Sequence, residues 1–338
     1  MDGSLIRFVV VGFGHIGKRH ADMVLANREC ELVAIIDIDA RLEQKAVETY
    51  KVPFFTSWQA FVASGIKGDV ANIATPNGLH AQNALTAIEA GFHVVIEKPL
   101  ALTTADCDTV LDTAKEYNRK VFCVMQNRYS PPMQWLKKLL TGDILGRIYI
   151  VDVHCYWNRD ERYYTGDTWK GTDSMDGGTL FTQFSHYVDL VYWLFGDVTD
   201  ITARFNNFNH NNVIGFEDSA AVSFGIKGGG RGTLNYTTSV WDKNMESTMV
   251  IVGEKGTVKI GGQYMDNVAY CHIKDYDLQQ QHDAAQVHVD GYNDAKANHY
   301  YVIENVADVL KNRSAITTTA EEGKQVVNII ERIYALKK

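Results

Sequence analysis

Cysteine and proline are scarce in this chain, with five residues of each among 338. The cysteines stand far apart and form no C-x-x-C pair: they are Cys30, Cys107, Cys123, Cys155 and Cys271. Scattered single cysteines indicate reduced thiols in a cytosolic protein and argue against a disulfide-stabilised scaffold. The sequence also lacks an H-E-x-x-H motif and any cluster of histidine and cysteine, and we therefore expect no bound metal.

Long apolar runs and an excess of positive charge are absent as well. No hydrophobic stretch is long enough to span a bilayer, and the first predicted strand begins at Ile6, which leaves no room for a secretion leader. We accordingly expect a cytoplasmic protein without a membrane partner. The formal net charge of −8 disfavours nucleic acid as a partner, although it permits a local basic pocket.

The strongest positive signal is an apolar strand that runs into a glycine turn. The pattern of residues 8–11 predicts a buried parallel strand, and Gly12, Gly14 and Gly17 follow it in G-x-G-x-x-G spacing. Such glycines permit a tight turn, a close approach of the backbone to a pyrophosphate, and close packing of the next helix. The N-terminal N–H groups of that helix would point at the phosphates.

A second apolar run, residues 32–36, ends at Asp37, about twenty residues after the last glycine. A carboxylate at this place can hold both ribose hydroxyls of an adenosine, and it would repel a 2′-phosphate. The sequence therefore favours NAD over NADP as the cofactor. Arg41 follows closely and keeps NADP open as the alternative.

The order of predicted elements divides the chain into two domains, 1–126 and 127–338. In the first, strands and helices alternate as far as a strand at 121–124, which predicts a doubly wound parallel sheet. In the second, strands without helices between them predict antiparallel neighbours, and amphipathic helices close the chain. The strand patterns lie at 148–157, 200–208, 217–226, 231–240 and 247–260, and the helical ones at 294–311 and 319–336. The exposed face of the second sheet needs a cover, which favours a homodimer or homotetramer.

Two loops at the carboxyl ends of predicted parallel strands carry polar side chains, and ligands bind at such ends. Asn77 follows the strand at 70–74 and offers a donor and an acceptor to a ribose or a nicotinamide, or it belongs to a turn that caps the next helix. Lys98 follows the strand at 93–96 and can stabilise a developing alkoxide, or it is an ordinary solvated lysine.

A helical apolar stripe over residues 180–194 leaves His186 and Asp189 on another face. A carboxylate three residues after a histidine on a helix can orient the ring and keep it basic near neutral pH. His186 could then accept the proton of a substrate hydroxyl. The alternative is a hydrogen-bonded interior histidine.

Together these motifs resemble those of the Gfo/Idh/MocA family of NAD(P)-dependent oxidoreductases. The resemblance rests on the glycine turn, on Thr75-Pro76-Asn77-x-x-His80, on Glu97-Lys98-Pro99 and on the segment 177–189, in the family's order. It implies a Rossmann domain followed by an α+β domain, whose open-faced mixed, largely antiparallel sheet carries the substrate pocket and the oligomer interface. It also implies that Lys98 and His186 are catalytic and face the substrate. The predicted cofactor-binding residues are Gly12, Gly14, His15, Ile16, Gly17, Asp37, Thr75, Asn77, His80, Glu97 and Lys98.

Within that family the chain resembles the branch that oxidises UDP-N-acetylglucosaminuronate at the 3-hydroxyl, through its segments 126–131, 156–164 and 169–172. Arginine forks suit a sugar carboxylate or a diphosphate, and aromatic rings suit a sugar face or a uracil; a loop with its own salt bridges is the alternative. Many family members have Asp, and this branch often has Asn, where this chain has Thr182, so neither pattern fits fully. The predicted substrate contacts are Arg128, Tyr129, Arg159, Tyr163, Lys170, Thr182 and Gln183.

These observations leave three hypotheses for the function. The first is an NAD-dependent dehydrogenase that oxidises a secondary ring hydroxyl of a sugar or sugar nucleotide, with UDP-N-acetylglucosaminuronate as its best candidate substrate. The second is a dehydrogenase of myo-inositol, another polyol or a free sugar. The third is a catalytically silent NAD-binding regulatory protein, which the absence of a carboxylate at Thr182 keeps open.

Overall fold

A computed structural model describes residues 4–165, 169–277 and 297–337. The chain forms two compact units, of which the first comprises Met1–Gln126 and Val287–Val327, and the second Asn127–Gln286 and Asn328–Lys338. The sequence predicts one continuous second domain over 127–338. The structure differs in that the described residues 297–327 group with the first unit.

The first unit contains a parallel sheet of six strands in the order β3-β2-β1-β4-β5-β6. Every neighbouring pair is parallel, and the central strands are buried, as their runs of β-branched residues predict. The strands are β1 Ile6–Val11, β2 Cys30–Ile36, β3 Phe54–Phe55, β4 Val70–Ile73, β5 His93–Ile96 and β6 Val121–Cys123. The prediction of a doubly wound parallel sheet is confirmed.

Helices connect these strands, and short polar side chains cap two of them. The hydroxyl of Ser57 accepts a hydrogen bond at the start of α3, and that of Thr103 does so at the start of α5. The helices are α1 His15–Ala26, α2 Glu43–Tyr50, α3 Trp58–Ala63, α4 His80–Glu89 and α5 Thr104–Glu116. Short 3-10 turns precede α2 at Ala40–Leu42 and α4 at Asn77–Leu79.

The segment that returns to the first unit is held there by apolar packing and by charge. In the later part of the chain, helix α10 spans His299–Leu310, and its apolar face is buried as it packs against α1. Glu29 forms ion pairs with Lys311 at 2.8 Å and with Arg313. These contacts join residues that are far apart in sequence, which is why a boundary read from local patterns places the segment elsewhere.

The second unit contains a mixed sheet of seven strands in the order β13-β12-β11-β7-β10-β9-β8. Strands β7 and β10 are parallel and the other neighbours are antiparallel, so the predicted mixed, largely antiparallel sheet is confirmed. The strands are β7 Ile148–Tyr156, β8 Val198–Asn206, β9 Ser219–Ile226, β10 Arg231–Thr237, β11 Glu246–Gly253, β12 Gly256–Gly261 and β13 Asn267–Ile273. The single strand predicted at 247–260 is therefore a hairpin, and β13 is an additional strand.

Helices of the second unit cover one face of this sheet. Residues Val188 and Val191 of α9 and Ile329 and Ile333 of α11 pack with apolar residues of β8, β9 and β10. The helices are α6 Pro131–Thr141, α7 Glu161–Tyr164, α8 Thr179–Thr182 and α9 Ser185–Phe195, together with the part of α11 (Ala320–Tyr334) from Asn328 onward. Among the described residues of both units, no helix is both long and apolar enough to cross a membrane. The predicted oligomer stays a prediction.

Candidate functional site

The glycine turn of the first unit has the shape that a bound pyrophosphate requires. Gly12 has a φ of +87°, and a Cβ atom there would lie 2.6 Å from the carbonyl oxygen of Ala74. A Cβ atom at Gly17 would lie 1.8 Å from the carbonyl oxygen of Gly12. Gly14 is exposed, and a Cβ atom there would meet nothing within 4 Å. Two glycines are thus required by packing, and the open space above the third fits a phosphate group.

Asp37 lies beside this turn, at the carboxyl end of β2. Its Oδ2 accepts a hydrogen bond of 2.6 Å from the backbone N–H of Phe13, and its Oδ1 accepts one of 2.9 Å from that of Asp39. The carboxylate is therefore fixed next to the glycines, where a ribose would bind. Arg41 is the positive charge that keeps NADP as the alternative cofactor. It forms an exposed ion pair with Asp39 at 2.7 Å, so its charge is compensated within the protein.

The loops after β4 and β5 are joined by a histidine. His80 is buried, with Nδ1 2.7 Å from the carbonyl oxygen of Pro99 and Nε2 2.9 Å from that of Thr75. Burial lowers the pKa of His80. Its ring therefore bridges the turn that carries Asn77 and the turn that carries Lys98, and we assign it to the positioning of both loops.

Glu97 is buried beneath the same loops and meets two histidines. Its Oε1 accepts a hydrogen bond of 2.6 Å from Nε2 of His20 and lies 3.5 Å from Nε2 of His299, while its Oε2 accepts one of 3.1 Å from the backbone N–H of Lys98. Burial by itself raises the pKa of Glu97, but the hydrogen bonds from the two histidines outweigh it and hold the pKa well below its usual value.

In the part of the chain that the structure describes, these three side chains come close enough to share a metal ion. The sequence predicts no metal because it has no closely spaced set of histidine, cysteine and carboxylate ligands. His20, Glu97 and His299 come from α1, the end of β5 and α10, so no local spacing reveals them.

In the second unit, His186 lies in the first turn of α9, and Asp189 lies one turn further on. The Asp189 carboxylate forms a buried ion pair with Arg128, in which Nη2 donates to Oδ1 over 2.6 Å and Nε donates to Oδ2 over 3.0 Å. The two side chains are only 1% and 2% exposed. The carboxylate that the helical spacing predicts as the partner of His186 is thus paired with Arg128. Arg128 itself, a predicted substrate contact, is engaged within the protein.

A second carboxylate, which the sequence analysis did not select, lies next to Thr182. The hydroxyl of Thr182 donates a hydrogen bond to Oδ1 of Asp176, and Oδ2 of Asp176 accepts one of 2.8 Å from the backbone N–H of Gly171. Asp176 is 1% exposed. The position where the family resemblance implies an acid thus carries a hydroxyl that is backed by a buried acid. The sequence signal is only that Asp176 directly precedes Gly177 and Gly178.

Four of the predicted substrate contacts form one cluster of cations and polar groups around an aromatic ring. Nε of Arg159 donates to Oε1 of Gln183 over 3.0 Å, and Nε2 of Gln183 donates to the hydroxyl of Tyr163 over 2.8 Å. The Arg159 guanidinium lies 5.1 Å from the centre of the Tyr163 ring, and Nζ of Lys170 lies 4.4 Å from it. Asn244, which the sequence analysis missed, accepts a 3.1 Å hydrogen bond from Arg159.

The same loop also has a salt bridge of its own, between the exposed side chains of Arg162 and Asp160. The loop therefore contains both kinds of residue that the sequence allows. Arg159 and Tyr163 belong to the cluster predicted to contact substrate, whereas Arg162 and Asp160 pair with each other. Tyr129 lies half-buried at the end of a 3-10 turn, Gln126–Tyr129.

The start of α8 is fixed by a tyrosine from the C-terminal helix. Gly178 has a φ of +118°, and a Cβ atom there would lie 2.4 Å from the hydroxyl oxygen of Tyr334. That hydroxyl accepts a 2.9 Å hydrogen bond from the backbone N–H of Leu180 and donates one of 2.7 Å to Oε1 of Glu217. Tyr334 therefore positions the turn that leads to Thr182, and only the fold reveals this.

Comparison with known proteins gives a family to each half of the chain. Residues 6–125 match the family model of the Gfo/Idh/MocA oxidoreductases, described as an NAD-binding Rossmann fold, and residues 133–259 match their C-terminal domain. A solved structure of the WlbA dehydrogenase from Bordetella pertussis, in complex with NADH and UDP-GlcNAcA, is 31% identical with a TM-score of 0.88. The alignment covers 98% of this chain and 96% of that one. This chain belongs to the Gfo/Idh/MocA family.

Two further relatives of the chain show how the likeness is distributed. The WlbA dehydrogenase from Chromobacterium violaceum, also solved with NADH and UDP-GlcNAcA, is 30% identical with a TM-score of 0.90, over 99% of this chain and 94% of that one. The D-glucoside 3-dehydrogenase of Escherichia coli K12 is 32% identical over 154 residues, which are 44% of this chain and 43% of that protein. This Gfo/Idh/MocA chain is an oxidoreductase with NAD as its cofactor, as the sequence predicts.

Proposed function

We propose that this Gfo/Idh/MocA chain is an NAD-dependent dehydrogenase that oxidises a secondary ring hydroxyl of a sugar nucleotide, with the 3-hydroxyl of UDP-N-acetylglucosaminuronate as the first candidate. The observation that carries the proposal is the cluster of Arg159, Lys170 and Gln183 around Tyr163. Two cations on an aromatic ring suit an anionic substrate with a sugar face. The likeness to two dehydrogenases solved with UDP-GlcNAcA supports the same choice.

Two residues carry the chemistry in this proposal. NAD, when bound, takes up the hydride that leaves the sugar carbon. The Lys98 ammonium has donors only, so it stabilises negative charge that develops on the sugar oxygen. His186 accepts the hydroxyl proton.

The cluster around Tyr163 and the proposed base, His186, are linked by a short segment of the chain. Gln183 belongs to the cluster, Thr182 precedes it, and His186 follows in the next helix. The hydroxyl of Thr182 donates to the buried carboxylate of Asp176, and a hydroxyl that donates in this way can also accept a hydrogen bond. Thr182 therefore needs no charge of its own to orient a substrate hydroxyl.

A second candidate is a dehydrogenase of a free sugar or glucoside. The match to a D-glucoside 3-dehydrogenase favours it, since that protein is 32% identical over the aligned part. The cationic cluster would then have no anionic group to bind. A cytoplasmic location and a homo-oligomeric state remain predictions.

The test is the appearance of NADH absorbance when the purified protein and NAD are mixed with UDP-N-acetylglucosaminuronate. UDP-N-acetylglucosamine, which lacks only the carboxylate, is the matched control, and glucose, methyl glucoside and myo-inositol are the other substrates. 2-Oxoglutarate is added in parallel as an acceptor, because the resemblance to the UDP-N-acetylglucosaminuronate branch implies that bound NADH is reoxidised by it. Reduction by the acidic sugar nucleotide alone supports the proposal. Reduction by free sugars alone supports the second candidate, and bound NAD without turnover supports a regulatory protein.

A further inference from the structure

The buried group of His20, Glu97 and His299 lies in the first unit, beside the loop that carries Lys98. Its three side chains are 0%, 8% and 2% exposed. His20 comes from α1 and His299 from the first turn of α10, so two helices from opposite ends of the chain meet at one carboxylate. A buried carboxylate is expensive unless it is paired and hydrogen-bonded, and both oxygens of Glu97 are.

The two oxygens of Glu97 have different partners. Oε1 faces the histidines, and Oε2 accepts the backbone N–H of Lys98 over 3.1 Å. On the far side of Lys98, the carbonyl oxygen of Pro99 lies 2.7 Å from Nδ1 of His80. The backbone is therefore held immediately before and after Lys98 by buried groups, which restricts the directions in which its side chain can leave the loop.

A metal ion is the competing interpretation of the same three residues, because their ligand atoms all lie within 4.8 Å of one another. A histidine that binds a metal through one ring nitrogen almost always donates its other N–H to an acceptor. Among the described residues, Nδ1 of His20 is buried without a hydrogen-bond partner. One oxygen of Glu97 is also already taken by a backbone N–H. The hydrogen-bonded group therefore fits the observations better than a metal site.

We propose that His20 and His299 are positioning residues that act through Glu97 to hold the backbone of Lys98, so that its ammonium meets the sugar oxygen in one orientation. The proposal rests on the proposed function only in the role that it gives to Lys98. It predicts that a change at His299, far from Lys98 in sequence, lowers turnover without weakening NAD binding.

The first experiment needs no substrate. Amide hydrogen exchange at Lys98 is measured in the purified protein and in the variants His299→Leu, which cannot donate a hydrogen bond, and His299→Gln, which can. The expected result is about tenfold faster exchange at Lys98 in His299→Leu, the effect of one weakened hydrogen bond, and near wild-type exchange in His299→Gln. Unchanged exchange in His299→Leu would overturn the proposal.

The control for this experiment is His93→Gln. His93 begins β5, the strand that Glu97 follows, and its ring accepts a backbone hydrogen bond from Lys120 far from Glu97 in the strand. Exchange at Lys98 is expected to be the same as in the wild type. If His299→Leu does not fold, His20→Leu and His20→Gln provide the same comparison at the other histidine that contacts Oε1 of Glu97.

The second experiment is a double-mutant cycle between His299 and Lys98. In the wild-type background, His299→Leu is expected to lower kcat about tenfold with NAD affinity unchanged. In the Lys98→Ala background, with turnover restored by added ethylamine, the same change is expected to have no effect, because a free amine is not positioned by the backbone. An equal loss in both backgrounds would show a merely structural role and overturn the proposal.

Two further outcomes separate this proposal from the proposed function. Full activity in Lys98→Ala would remove the catalytic role of Lys98, while the exchange experiment would still decide whether the histidines hold its backbone. One metal ion per chain in the purified protein, measured by elemental mass spectrometry, would replace the hydrogen-bonded group with a metal site. A substoichiometric metal content is expected.

Discussion

Two buried carboxylates, one in each unit, are balanced in different ways. Glu97 is paired with His20 and His299, whereas Asp189 is paired with Arg128. Arginine keeps its charge at every pH at which a protein folds, while histidine changes its charge near neutrality. The Arg128 partner of Asp189 is therefore always charged, whereas burial lowers the pKa of His299, beside Glu97, to about 4. The Glu97 carboxylate also accepts the backbone N–H of Lys98.

The first test removes the side chain of Lys98, whose backbone Glu97 holds. Lys98→Ala is expected to lower kcat by about 10²–10³-fold, since a donor to the developing oxyanion is lost. NAD affinity, measured by equilibrium binding, is expected to stay nearly unchanged because the glycine turn and Asp37 are intact. Wild-type activity in this variant would remove Lys98 from the chemistry.

The second test breaks the other carboxylate pair. Arg128→Met is expected to lower the free energy of unfolding by about 3–5 kcal/mol, because it leaves Asp189 buried without its partner. Urea denaturation measures the change. The double variant Arg128→Met/Asp189→Leu should regain most of the stability. If Arg128 instead served mainly as a substrate contact, Arg128→Met would raise KM and leave the unfolding curve in place.

A third carboxylate, Asp176, is expected to have a smaller effect than either of these pairs. Asp176→Asn weakens the acceptor behind the Thr182 hydroxyl and is expected to lower kcat about tenfold, the worth of one charged hydrogen bond. Thr182→Val removes the hydroxyl itself and should give a similar loss. If only Asp176→Asn is impaired, the carboxylate holds the fold around Gly171 rather than the substrate.

The cationic cluster is expected to act on binding alone. Arg159→Gln should raise KM for UDP-N-acetylglucosaminuronate about tenfold with kcat unchanged, since the lost contact is made equally in the ground and transition states. Arg162→Gln, in the exposed salt bridge of the same loop, is the matched control and should behave as the wild type. A rise of KM in the control would show that the whole loop, rather than the cluster, contacts the substrate.

The last test is the pH dependence of stability that His299 confers on the Glu97 group. Burial lowers the pKa of His299 to about 4, while its unfolded value is near 6.5. Between these values the unfolded chain binds a proton that the folded chain does not. The free energy of unfolding should therefore fall with falling pH in that window, by at most about 1.4 kcal/mol per pH unit. His299→Gln should flatten this slope in urea titrations, whereas Arg128→Met should not change it.

The sequence predicts the features that depend on local patterns. The glycine turn, Asp37 beside it and the alternation of strands and helices that makes the first sheet parallel all follow from short-range patterns, and the structure has them in place. The cluster around Tyr163 was also predictable, because its members are chemically conspicuous and three of them lie close together in the chain.

The features that the sequence does not predict depend on contacts between distant residues. No spacing rule connects His20 with His299, or Gly178 with Tyr334. The helical spacing of His186 and Asp189 suggested a pair, but Arg128 from a preceding turn reaches that carboxylate. A buried ion pair of good geometry outweighs a partner one helical turn away, and this competition is not visible in one helix.

The return of residues 297–327 to the first unit has a consequence for the synthesis of the protein. A ribosome releases the whole parallel sheet long before it releases α10, so the nascent first unit must wait with the surface of α1 uncovered and with Glu97 lacking His299. A fragment that ends at Gln126 would remain in this state permanently. The N-terminal part of the first unit and the segment that returns to it therefore complete their folding together. A break in the chain between them would separate two parts of a single core.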